Sequence, residues 1–163
     1  QKGAWVLHML RGIMGDEAFF KAIRAYYETF KYKNAETSQL ADVFEEYYGS
    51  SLDWFFDQWV YKGTGRPKYE YSWKFEDFQG QKGSGAYTVR LQLKQVQKED
   101  EIDLYKMPVK VTIVTEAGDK EFTVFNDTKE QSFLLTVDST PKEVLIDKDG
   151  WILKKVAKGT YEK

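Results

Sequence analysis

The stretch 61-YKGTGRPKYEYSWKF-75 decides how the chain folds. From Lys68 onward apolar and polar residues alternate strictly. Tyr69, Tyr71, Trp73 and Phe75 fall on one face, and Lys68, Glu70, Ser72 and Lys74 on the other, which is the period of a half-buried strand. Before Tyr61 the apolar residues recur instead with helical spacing. Gly63, Gly65 and Pro67 end helix formation between the two regimes. The chain therefore reads as two parts, a helical domain over 1–66 and a β domain over 67–163.

Backward from this boundary, Leu52, Phe55, Phe56 and Trp59 stand at i, i+3, i+4 and i+7, a short helix that Ser51 is placed to cap. A third helix runs from a cap at Thr37 or Ser38 to a stop at Gly49 and carries Leu40, Val43, Phe44 and Tyr47. The second extends from Glu17 to about Lys31, with Phe19, Phe20, Ile23, Tyr27 and Phe30 expected inside and Glu17 favoured in the first turn by the helix dipole. In the first helix Leu7, Leu10 and Met14 share a stripe. Gly15 then supplies a stop and Asp16 the next cap.

Forward from the boundary, alternation recurs in AYTVRLQLKQV, MPVKVTIVT, KEFTVF, SFLLTV, EVLI and WILKKV, the last with Trp151 and Leu153 inside. Glycine-bearing turns at QGQKGSG, EAGDK and DKDG join successive strands as hairpins. The expectation is an antiparallel meander closing as an Ig-like β-sandwich of about seven strands. The fold class is thus α+β in two parts, about four helices and then the sandwich.

Composition narrows the function classes. The 163 residues are 42% hydrophobic and 17% aromatic, enough for a real core. Twenty-four Lys and Arg against 26 Asp and Glu give a net charge of −2, so no basic field argues for nucleic acid. No apolar run is long enough to span a bilayer. With no cysteine there are no disulfides, thiolate ligands or cysteine nucleophile. The compartment stays open.

The inventory for catalysis is poor. The one histidine, His8, lies among Leu7, Met9 and Leu10 with no nucleophile elbow, and reads as a hydrogen-bonded group at a helix packing surface rather than a general base. Asp147 and Asp149 in IDKDGW lack the distal ligands of a calcium loop and read as a turn. Glu45 with Glu46, and the cluster Glu99, Asp100 and Glu101, read as solvated carboxylates rather than a glycosidase pair. The row Tyr69, Tyr71, Trp73 and Phe75 reads as core. Its alternative, a binding face for sugar or peptide, requires that the row be exposed.

The order of these features resembles the end of the catalytic domain of the M1 zinc aminopeptidases, the family of aminopeptidase N and leukotriene A4 hydrolase. The motifs that carry the resemblance are Lys2-Gly3-Ala4, Met9-Leu10-Arg11, Gly15-Asp16-Glu17-Ala18-Phe19, Phe55-Phe56-Asp57-Gln58-Trp59 and Gly65-Arg66-Pro67. In that family a β-sandwich follows the catalytic domain directly, and PKEVLIDKDGWILKKV is similar to its closing segment.

The resemblance implies that the zinc ligands, an HExxH and a later Glu, lie ahead of Gln1, with the catalytic Tyr immediately before it. No catalytic, cofactor-binding or metal-binding residue of the family then falls in this chain. Only Lys2 and Gly3 are placed near the active site, behind the groups that touch substrate. One zinc ion belongs to the whole enzyme and none to this stretch. The implied partners are the rest of the catalytic domain and, for the whole enzyme, a peptide substrate. The first helix is expected to show an apolar patch able to support self-association. The alternatives are a scaffold with the M1 fold but no working zinc site, and a free-standing binding module.

Overall fold

In the computed structural model, residues 1–80, 83, 85–98 and 102–160 are described. The chain divides into two units, Gln1–Thr64 and Gly65–Lys163. Part of the first expected hairpin turn and the cluster Glu99, Asp100 and Glu101 lie outside the described residues.

The first unit is helical: α1 (Lys2–Met14), α2 (Asp16–Phe30), α3 (Thr37–Tyr48) and a short α4 (Asp53–Phe56) that widens into a π turn over Asp57–Tyr61. The α4 stripe holds, since Leu52, Phe55, Phe56 and Trp59 are all buried. The α2 stripe does not. Phe19 and Ala22 are buried, while Phe20 and Tyr27 are 41% and 60% exposed. The cause is the partner helix: Phe19 meets Phe44 of α3 edge to face at 5.6 Å, which turns Phe20 outward beneath the Arg11 guanidinium, 5.2 Å from its ring centre.

The caps also differ from expectation. Gly15, with φ of 79°, is the residue at which α1 stops and α2 starts. Asp16 sits instead in the first turn of α2 and takes both the Nε and Nη2 hydrogens of Arg11 at 2.8 Å. The α3 cap is Glu36 rather than Thr37 or Ser38. Glu36 and Gln39 form a reciprocal capping box in which the Glu36 N–H donates to Gln39 Oε1 at 2.8 Å. Ser51 stands one residue ahead of the α4 cap position, and its hydroxyl accepts the Asp53 N–H at 3.0 Å.

Among the described residues the second unit holds seven strands: β1 (Lys68–Asp77), β2 (Tyr87–Gln95), β3 (Met107–Thr115), β4 (Gly118–Asn126), β5 (Glu130–Val137), β6 (Pro141–Ile146) and β7 (Lys155–Lys158). They form two sheets, ordered β5-β2-β1-β7 and β4-β3-β6. Inward residues such as Leu91 and Leu93 on β2, Val111 and Ile113 on β3 and Val144 on β6 make the core. Burial of each such side chain contributes about 1.5–3 kcal/mol.

Three sandwich expectations need correction. The meander is not wholly antiparallel, because β7 pairs with β1 in parallel, Lys68 opposite Lys155 and Tyr71 opposite Lys158. DKDG is not a hairpin turn, since β6 and β7 lie in different sheets. WILKKV does not form the last strand from its start: β7 begins only at Lys155, because the Asp147 carboxylate takes the N–H groups of Trp151 and Ile152 at 3.0 Å each. A segment whose amides are held by a side chain cannot also join a ladder.

The row on β1 is graded rather than uniformly buried. Tyr69 and Tyr71 are buried, Trp73 is half-buried and Phe75 is 42% exposed. Trp73 stacks on Phe75 at 6.2 Å, and Phe75 meets the edge of Tyr87 at 5.6 Å. Tyr71 Oη donates to the Val144 carbonyl at 3.0 Å and so ties one sheet to the other.

The Tyr69 hydroxyl meets no hydrogen-bond partner among the described residues. Burial, with the nearby Asp147 carboxylate second, holds its ionisation well above the usual tyrosine range. A folded value raised above the unfolded one gives stability that is complete below about pH 10 and lost as pH rises beyond it. Tyr69→Phe is therefore expected to leave the sandwich unchanged or stabilise it by about 1 kcal/mol. It should also flatten the alkaline loss of stability. Denaturant melts of both proteins at neutral and alkaline pH measure this, and a variant at least 1 kcal/mol weaker than the parent at neutral pH contradicts it.

Candidate functional site

Two of the carboxylates weighed from the sequence have structural work. Glu45 Oε1 accepts the Leu52 N–H at 2.6 Å and the Ser51 hydroxyl at 3.0 Å, so it satisfies donors at the entry to α4 from the end of α3. Glu46 beside it is exposed. Asp147 is buried at 3% exposure with φ of 47°, a left-handed turn residue, and its carboxylate receives Lys154 Nζ at 2.5 Å as well as the two amides. Asp149 is exposed. Among the described residues no group of three or more His, Cys, Asp or Glu converges as a metal site would require.

The residues placed nearest an active site, Lys2 and Gly3, lie in the first turn of α1. Lys2 crosses to the far end of its own unit, where its ammonium donates to the Gly63 carbonyl. Partial burial pushes this ammonium below the usual lysine range. The contact depends on Gly63, because a Cβ there would stand 2.0 Å from the Gln58 carbonyl oxygen. Gly3 is exposed, and a Cβ added to it meets nothing within 4 Å. The structure thus separates the pair: Lys2 closes the start of the helical unit onto its end, and Gly3 faces open space.

Gln1, Ala4, Trp5 and His8 line a shallow depression along about the first two turns of α1. The His8 ring stands edge-on to Trp5 at 5.4 Å and is half-buried. Leu7 is 36% exposed next to this face, while Val6, Met9 and Leu10 are buried on the other side. The exposed side of α1 therefore mixes apolar and polar groups, with Ala4, Trp5 and Leu7 supplying the apolar part. The Lys2 to Gly63 link was not legible from spacing, since it spans the whole helical unit. The only local signal for it was the Gly63-Thr64-Gly65 run, read as a helix stop.

Comparison with known proteins bears on what such a unit belongs to. Residues 1–59 match the Peptidase family M1 domain. Over 59 residues the chain is 39% identical to aminopeptidase N of Lactococcus lactis subsp. lactis, a match that covers 36% of this chain and 7% of that protein. Over 101 residues it is 32% identical to aminopeptidase M1-C of Oryza sativa subsp. japonica, covering 56% of this chain and 11% of that protein. The structure of Legionella pneumophila aminopeptidase A, solved in complex with aspartic acid, superposes on 99% of this chain with a TM-score of 0.71 at 17% identity, and the chain covers 18% of it. That likeness extends the shared fold through the sandwich, while the sequence matches concentrate on the helical unit. The chain spans only a small part of the length of these relatives, and it is over its helical unit that it is similar to the M1 peptidases.

Proposed function

We propose that this chain serves an M1 aminopeptidase, an enzyme that hydrolyses the N-terminal residue of peptides, as the rear wall of its catalytic domain and as the sandwich that follows. The observation that carries the reading is the M1 match over residues 1–59. In this role residues 1–66 close the catalytic domain and 67–163 form a separate spacer domain. Lys2 braces the start of α1 against the end of the helical unit, so that groups preceding α1 are held from behind. The exposed side of α1, with Ala4, Trp5, Leu7 and His8, is the surface that the rest of the catalytic domain covers.

Zinc belongs to the family's chemistry, but the described residues do not fit it: the chain has one histidine, and no acidic cluster converges beside it. No hydrolytic step is therefore assigned to residues of this chain. The binding-module reading finds no exposed aromatic at Tyr69 or Tyr71, which are buried, and is left with the half-buried Trp73.

Two measurements test the proposal. The 163-residue chain, assayed on aminoacyl-naphthylamides with added zinc, is expected to show no hydrolysis and no stoichiometric zinc after dialysis. Turnover or a tightly held zinc ion refutes that division of labour. The coding sequence ahead of Gln1 is expected to encode an HExxH, a later Glu and a Tyr next to Gln1, and their absence would leave a scaffold with an inherited fold.

A further inference from the structure

Of the four strands that end the two sheets, three are guarded against pairing with another chain. β7 is four residues long with Lys155 and Lys158 at its ends, β6 opens with Pro141, Lys142 and Glu143, and β4 carries Asp119, Lys120 and Glu121. β5 is different. From Gln131 through Val137 it has neither a charge nor a proline.

The ladder shows which of its groups are free. Gln95 N–H donates to the Lys129 carbonyl at 2.8 Å, and antiparallel alternation from that bond turns the backbone of Gln131, Phe133, Leu135 and Val137 toward β2. The backbone of Glu130, Ser132, Leu134 and Thr136 then faces outward, where β5 has no strand neighbour among the described residues. The Thr128 hydroxyl takes the Glu130 carbonyl at 2.8 Å. The N–H and C=O groups of Ser132, Leu134 and Thr136 are left to solvent, and the Leu134 side chain beside them is 59% exposed.

We propose that β5 is a self-pairing edge, joined antiparallel across a two-fold axis by β5 of a second copy of this chain. Such an edge satisfies an identical one, and a two-fold contact closes without leaving a further strand to extend. Of the registers that bring the outward groups face to face, two are centred on the middle of β5 and pair most of it. One sets Leu134 opposite itself and Glu130 opposite Asp138 of the second copy, a repulsive pair. The other sets Ser132 opposite Leu134 and Glu130 opposite Thr136, with no like charges in contact. Charge selects the second register, which places Phe133 at the axis.

Sedimentation velocity of the full chain over a wide concentration range, alongside Ser132→Pro and Leu134→Lys, tests this. Ser132→Pro removes an outward N–H that bonds nothing in the monomer, a position where an edge strand accepts proline. Leu134→Lys places a charge at the middle of the edge on an already exposed side chain. The expected result is a reversible monomer–dimer equilibrium whose dissociation constant rises about tenfold or more in each folded variant. A chain that stays monomeric throughout overturns the proposal. So does a dimer of unchanged affinity in both variants, which would move self-association to the helical unit and the exposed side of α1.

Discussion

Lys154→Ala is expected to destabilise the sandwich by about 3–5 kcal/mol, the range for breaking a buried ion pair from one side. The Asp147 side chain is completely buried and that of Lys154 nearly so, at 11% exposure. Removing the ammonium leaves a buried carboxylate that keeps the Trp151 and Ile152 amides but has no opposite charge paired with it among the described residues. Lys154 also donates to the Asp147 carbonyl at 3.1 Å, so the turn loses a second link. Denaturant titration of the variant, followed by tryptophan fluorescence, gives the loss directly, and a change below about 1 kcal/mol would show that the pair is dispensable. Asp147→Asn is the informative companion, since asparagine accepts the left-handed backbone and can still receive an amide.

Gly63→Ala should cost about 3 kcal/mol in the helical unit, at the upper end of what overpacking costs. The reason is room rather than backbone freedom: the added carbon would stand 2.0 Å from a backbone oxygen, and Lys2 would lose its acceptor as that segment moved. Gly3→Ala, in the first turn of α1 with nothing within 4 Å, runs the other way. Alanine there should add up to about 1 kcal/mol through helix propensity. Thermal melts of the two variants against the parent give opposite signs if Lys2 and Gly63 form the closure. Equal effects of the two substitutions would mean that they do not.

The contrast between these glycines shows what was legible from sequence. Both lie in stretches that match M1 motifs or border them, yet only the structure tells a brace from open space, because the neighbours of Gly63 include Lys2, at the other end of the helical unit. The switch of period at residues 61–75 was readable because helix and strand periods differ at once. The α4 residues were readable because four large apolar side chains share one narrow stripe. The α2 stripe was not, since Phe19, Phe20, Ile23, Tyr27 and Phe30 cover too much of the helix for spacing to select a face. The choice was made by Phe44 on another helix. The start of β7 was missed for a local reason, the competition of the Asp147 carboxylate for backbone amides. Its parallel pairing was missed for a non-local one, since nothing near residue 155 records which strand it will meet. For function, the informative residues were the M1 motifs. Spacing alone found no reacting group, and of the carboxylates that it flagged Glu45 serves helix entry and Asp147 turn closure.

The return of β7 to β1 also governs the order in which the sandwich forms. Tyr69 faces Val156 across a parallel ladder, so the first described strand of the sheet is completed by the last. Hairpins β1–β2 and β3–β4 close over short loops, but β1 keeps one side bare until that distant segment arrives. Contacts of such high sequence separation slow folding and lengthen the time an edge stands open. During synthesis the helical unit has all its residues long before the sheet does, so it is the part that can consolidate first, with β1 waiting as a half-satisfied template.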